Sequence, residues 1–154
     1  MNKLNPRKYA NALVLVQFIS LGILLAFAFI FFTPDYLIIS TLLMFISMAI
    51  LSISYLSLKP SLRVNPIPLP GAPLINKGIY KYLRHPMYLA VMLFALALVG
   101  LSTNRYSIVI LSALIVDLFV KANFEDRLLL KAHPEALEYQ LKTPRFLPCL
   151  GTSK

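Results

Sequence analysis

Residues 9–34 carry no charged side chain, and the stretch Ala12–Phe32 reads ALVLVQFISLGILLAFAFIFF. At about 1.5 Å per helical residue, such a run crosses a hydrocarbon core of about 30 Å. A signal peptide is the competing interpretation, because Lys3, Arg7 and Lys8 precede the run. It is too long for a typical signal core, however, and no small-residue cleavage site follows it. A second uncharged stretch runs from Tyr36 to Leu58, after the turn Thr33-Pro34-Asp35-Tyr36, so the first two segments read as a membrane hairpin. A shorter apolar stretch covers Met87–Leu101, with Pro86 at its first turn, where the missing N–H costs nothing. The turn Ser102–Arg105 leads to a fourth stretch, Tyr106–Val120, which is interrupted by Asp117. The pattern predicts an all-α integral-membrane bundle of about four spans, near 12–32, 37–58, 87–101 and 106–122, in one domain covering 1–154. A cytoplasmic loop and a C-terminal helix complete it.

Composition agrees. The chain of 154 residues is 58% hydrophobic and only 14% charged, against roughly 45–50% and about 25% in soluble domains. These values point away from a soluble globular enzyme and from disorder. The net charge is nevertheless +9, so location decides what that charge means. Four spans put fourteen of the fifteen Lys and Arg on one side, with only Arg105 opposite. That side is cytoplasmic by the positive-inside rule, and both termini lie on it. The membrane is then a bacterial inner membrane or the endoplasmic reticulum. The basic excess reads as orientation and affinity for anionic lipid, not as a nucleic-acid surface. The single cysteine, Cys149, excludes an internal disulfide and a Cys-based metal site.

Two clusters on the cytoplasmic side carry candidate chemistry. The first is Gly78–Tyr88, GIYKYLRHPMY, which places three tyrosines, Arg84 and His85 at the mouth of the third span. Pro86 fixes the helix start, whose N–H groups and dipole would suit an anionic group. An interfacial aromatic belt with snorkelling cations is the plainer interpretation. The second cluster is Asp117, Lys121 and Glu125, which share one helical face at i, i+4 and i+8. For Asp117 a local pair with Lys121 is expected, and Glu125 is expected where the first cluster can meet it. The loop Lys59–His85, with five prolines between Pro60 and Pro73, reads as a stiff segment lying on the interface or over the helix ends. Neither cluster contains a phosphate loop, a metal set or a nucleophile–base pair, so any reaction here would rest on positioning and electrostatics.

The blocks Gly78-x-Tyr80-x-Tyr82-x-Arg84-His85-Pro86-x-Tyr88, Glu125-Asp126-x-x-Leu129 and Pro144-Arg145-Phe146-x-Pro148 together resemble the isoprenylcysteine carboxyl methyltransferase family. More broadly they are similar to the membrane methyltransferases that include phospholipid N-methyltransferases. The resemblance covers about residues 60–148. It implies a helical membrane fold, S-adenosylmethionine as methyl donor, and a lipophilic or prenylated substrate that enters from the bilayer. By position, Leu74, Ile75, Tyr80, His85, Pro86, Met87 and Tyr88 match cofactor-contacting residues, and Asn65 matches a more distant polar contact. Glu125 matches a glutamate at the methyl-transfer end. Lys121 stands where the family carries arginine, and Asp126 where a second glutamate is usual. Lysine keeps the charge but loses the bidentate fork, a departure that bears on the acceptor more than on methyl transfer itself. Two other functions fit parts of the sequence. A nicotinamide-dependent reductase shares the Arg84–Tyr88 block, and a small four-helix transporter or scaffold would depend on Asp117.

Overall fold

A computed structural model describes residues 5–58, 67, 73–102 and 104–146. Five α-helices and a short 3₁₀ turn account for most of them: α1 (Pro6–Ile30), α2 (Leu37–Leu58), the turn Gly78–Lys81, α3 (Pro86–Ser102), α4 (Arg105–Ala132) and α5 (Ala136–Lys142). No strand occurs among the described residues. Local chemistry explains the helix ends. Asn5 caps α1 by accepting from the Arg7 amide at 3.0 Å, with Pro6 at the first helical position. Asn104 caps α4 in the same way, accepting from the Tyr106 amide at 2.9 Å. Pro134 then separates α4 from α5.

Three helices, α1, α2 and α4, are long and apolar enough to cross a membrane, and α3 is a shorter apolar helix of 17 residues. The exposure pattern is inverted relative to a soluble bundle. Large apolar side chains face outward, Phe29 at 79%, Ile38 at 77% and Phe45 at 71% exposed, while Gln17, Ser20, Ser40, Ser47, Ser54, Asp117 and Lys121 are buried. This is a bundle whose solvent is hydrocarbon, where polar groups must find partners inside. The protein is a helical membrane protein.

The two segments read as a hairpin are consecutive, but they do not use each other as packing partners. α2 packs chiefly on α3, whereas α1 packs on α4 and α3. The reason lies in small residues. Ser40, Ser47 and Ser54 repeat every seven residues along the buried face of α2, opposite Ala90 and Gly100 of α3. Ser47 Oγ donates to the Ala90 carbonyl at 2.8 Å, and a Cβ at Gly100 would collide with Ser40 Oγ. Small residues let helix backbones approach closely where lipid removes the hydrophobic drive for association. On the other side of α3, an apolar core of Leu24, Ala28, Ala95, Leu98, Leu114 and Leu118 joins α1, α3 and α4. With 28 residues, α4 is about 42 Å long, more than the hydrocarbon thickness. That length allows its polar final turns, with Glu125 and Asp126, to stand beyond the hydrocarbon.

Candidate functional site

The site is assembled where the start of α3, the end of α4 and the C-terminal segment meet. Gly78 opens the 3₁₀ turn at φ 60°, and a Cβ there would sit 2.8 Å from Ser57 Oγ. A glycine therefore lets the turn close against the end of α2. The turn delivers Tyr80, Arg84 and His85 to a strap formed by Thr143–Phe146. The Arg84 amide donates to the Pro144 carbonyl at 2.9 Å and the His85 amide to the Arg145 carbonyl at 3.1 Å. Tyr139 Oη donates to the Tyr80 carbonyl at 2.7 Å. Phe146 closes the strap, packing edge-on against Phe119 with ring centroids 4.7 Å apart.

Asp126 is the hub. It is 3% exposed. Its Oδ2 accepts from Arg84 Nη1 at 2.8 Å and from Arg145 Nε at 3.0 Å, and its Oδ1 faces His85 Nε2 at 2.9 Å. Its backbone carbonyl accepts from Gln140 Nε2 at 2.9 Å. One carboxylate thus ties α4 to the α3 entrance, the strap and α5. The neighbouring Glu125 points to the open side. Its Oε2 accepts from Tyr88 Oη at 2.7 Å and lies 3.6 Å from His85 Nδ1, and the side chain remains 36% exposed. His85 is stacked parallel on Tyr88, with centroids 5.3 Å apart.

Burial works against a charge on His85, but the hydrogen bonds and charges of Asp126 and Glu125 outweigh it and push its pKa up to about 9. At neutral pH the ring is therefore an imidazolium that donates from Nε2 to Asp126 and turns Nδ1 toward Glu125 Oε2 at 3.6 Å. Burial, followed by the charge of Glu125, pushes the Tyr80 hydroxyl upward, so it remains a neutral phenol. Deeper in the bundle Lys121 is 1% exposed. Its Nζ donates to Gln17 Oε1 of α1 at 2.6 Å and lies 5.1 Å from the Tyr88 ring centre.

Of the residues singled out in the sequence, His85, Tyr88, Lys121 and Glu125 come together in this cluster. Pro86 is buried at the helix start, Met87 follows it half-buried, and Tyr80 is tied to Tyr139. Leu74 lies apart, in the wall of a depression of about 450 Å³ shared with Asn76, Lys81, Tyr139 and Thr143. Ile75 is half-buried beside it, and Asn65 and Pro148 lie outside the described residues.

Two expectations are corrected. The start of α3 is not an open anion site: the Arg84 and His85 amides are taken by the strap, and the Tyr88 and Leu89 amides return to the His85 carbonyl. Lys121 does not form an ion pair with Asp117, because Gln17 takes its ammonium. Asp117 Oδ2 is left buried without a hydrogen-bond partner among the described residues. Asp126 is the most heavily bonded carboxylate in the site.

Sequence reasoning missed Gln17 and the role of Arg145. Gln17 left one signal: it is the only amide side chain within Ala12–Phe32. Among the described residues no group of three or more His, Cys, Asp or Glu side chains has the arrangement to hold a metal ion.

Comparison with known proteins gives this geometry a family. The chain shares 38% identity over 80 residues with the cobalt-zinc-cadmium resistance protein CzcN of Cupriavidus metallidurans, a stretch covering 51% of this chain and 37% of that protein. The chain thus spans only about a third of that relative's length. The model of the isoprenylcysteine carboxyl methyltransferase family matches residues 36–131, which include α2, the α3 entrance and the Lys121–Glu125–Asp126 face of α4. With the matched stretch covering well over half of its length, the chain belongs to the isoprenylcysteine carboxyl methyltransferase family.

Proposed function

We propose that this protein is an S-adenosylmethionine-dependent methyltransferase that acts at the cytoplasmic face on a lipophilic acceptor drawn from the bilayer, of the prenylcysteine carboxylate type. The observation that carries this is convergence. Three blocks far apart in sequence, around His85, Glu125 and Arg145, meet at one buried carboxylate, Asp126. They leave Glu125 and Tyr88 beside the open side. Family membership gives the activity class.

The side chains present fit the cofactor's amino-acid end. Both contacts on Glu125 fall on Oε2, which leaves Oε1 for an ammonium. Arg84 Nε is a buried donor without a partner among the described residues, suited to a carboxylate. S-adenosylmethionine, when bound, would supply a sulfonium methyl group that a nucleophile takes in line, the sulfur leaving as the neutral thioether. The chain's task is then positioning. The hub fixes His85, His85 and Tyr88 fix Glu125, and the Phe146–Phe119 contact shuts the strap against water. For a carboxylate acceptor no proton has to be removed, so no general base is required. Alignment of reactants alone is worth about 7–11 kcal/mol.

Calorimetry of the purified protein with S-adenosylhomocysteine tests the reading. The wild type should bind, and His85→Ala should bind at least about tenfold more weakly. Equal binding by the two proteins would refute the site assignment.

A further inference from the structure

Lys121 presents an unusual electrostatic situation. It is 1% exposed and sits in an apolar helix. Among the described residues no carboxylate lies within ion-pair distance of its ammonium. Its partners are a neutral amide, Gln17 Oε1 at 2.6 Å, and the Tyr88 ring. A buried cation with no counterion in contact is costly, and the two carboxylates whose charges reach it, Glu125 and then Asp117, stand beyond ion-pair distance. A ready alternative exists, since Asp117 is one turn away on the same face, where such pairs ordinarily form, and its Oδ2 is buried and unpartnered.

We propose that Gln17 is a positioning residue that holds Lys121 away from Asp117 and keeps its charge unneutralised for an anionic acceptor. The inference rests on the methyltransferase reading for its substrate class. An ammonium has three donors. One is spent on Gln17 and the Tyr88 ring shields another side, so one donor is left for an incoming carboxylate. An amide suits this task because its carbonyl accepts a hydrogen bond without cancelling the cation. A glutamate in its place would neutralise the lysine, and an alkyl side chain would release it toward Asp117. α1 lies wholly outside the stretch matched by the family model, residues 36–131, so this contribution belongs to the part of the chain that the family pattern does not describe.

The probes are N-acetyl-S-farnesylcysteine and its neutral methyl ester, with binding measured by calorimetry on the full chain in detergent. The wild type should prefer the acid over the ester by tenfold or more. Gln17→Glu should abolish the preference while leaving the unfolding midpoint and S-adenosylhomocysteine affinity within twofold of wild type. Gln17→Leu should lose the preference too, and Asp117→Asn in that background should restore most of it, because the buried Asp117 carboxylate then no longer competes for Lys121. A role in packing alone predicts no such rescue. The proposal is overturned if Gln17→Glu keeps the acid preference, if Asp117→Asn fails to restore it, or if the wild type binds the ester as tightly as the acid. Absence of S-adenosylhomocysteine binding by the wild type would instead refute the methyltransferase reading, with the acid-to-ester ratio still judging Gln17.

Discussion

The α2–α3 interface and the hub around Asp126 both bury polar atoms, and they do so to opposite ends. In the first, hydroxyls serve distance. Ser47 bonds a neighbouring backbone carbonyl, Ser54 bonds the Ile50 carbonyl of its own helix at 2.6 Å, and what counts is that serine is small. In the second, charges serve direction. Asp126 draws Arg84, His85 and Arg145 onto one carboxylate, so that three chain segments meet there. The first region sets how close two helices come, and the second sets where a handful of functional atoms sit. Losing a hydroxyl should therefore change little, while losing one charge of the hub should change a great deal.

The largest expected effect follows from that contrast. Asp126→Ala leaves Arg84 buried without its counter-charge and His85 with Glu125 alone at 3.6 Å, a change that costs about 3–5 kcal/mol when one partner of a buried pair is removed. The thermal unfolding midpoint in detergent should fall sharply and S-adenosylhomocysteine binding should disappear with it. The comparison would break if Ser47→Ala destabilised the protein as much as Asp126→Ala.

The next effect is pH-dependent. The folded-state pKa of His85 is raised to about 9 from an ordinary value near 6.5. Its ion pairing therefore contributes fully below about pH 6.5 and is lost as pH rises through about 9. Wild-type protein should lose a few kcal/mol across that window, and His85→Asn should be nearly flat across it. Melting curves between pH 6 and 10 measure the difference, and a flat wild-type profile would contradict the charged imidazolium.

Gly100→Leu probes the other region. Even a Cβ at Gly100 meets Ser40 Oγ, and a full side chain should cost about 1–3 kcal/mol through overpacking. Gly100→Ala should cost less, because the serine hydroxyl can rotate away. In either variant the affinity of the remaining folded protein for S-adenosylhomocysteine should stay at the wild-type value, which separates the two regions most cleanly. The smallest effect belongs to Tyr88→Phe. It removes only the bond to Glu125 at 2.7 Å and should weaken cofactor binding by about 1–2 kcal/mol, with little change in stability.

The spans and the identity of the site blocks were legible because both are local. Uninterrupted apolar runs mark helices, and the clusters around His85 and Glu125 lie at their ends. What was not legible depends on registers set by packing. Glu125 and Asp126 are adjacent acids in sequence. The turn of about 100° between them on a helix sends one to the open side and the other into the hub, and only the position of the strap decides which. Lys121 has an obvious partner four residues away in Asp117. The partner it takes, Gln17, is 104 residues distant and comes within reach only because α1 packs on α4. The seven-residue serine repeat is likewise visible in the sequence, but its facing residues on α3 are not.

A methyl-transfer assay addresses the central claim most directly. Membranes containing the chain are incubated with S-adenosylmethionine labelled in its methyl group, with a farnesylated cysteine carboxylate as acceptor. The account predicts label in the lipophilic fraction that base releases as methanol, present with wild type and absent with Glu125→Gln. No transferred label from a folded wild-type protein, or label that resists base, would contradict a carboxyl methyltransferase acting at this site.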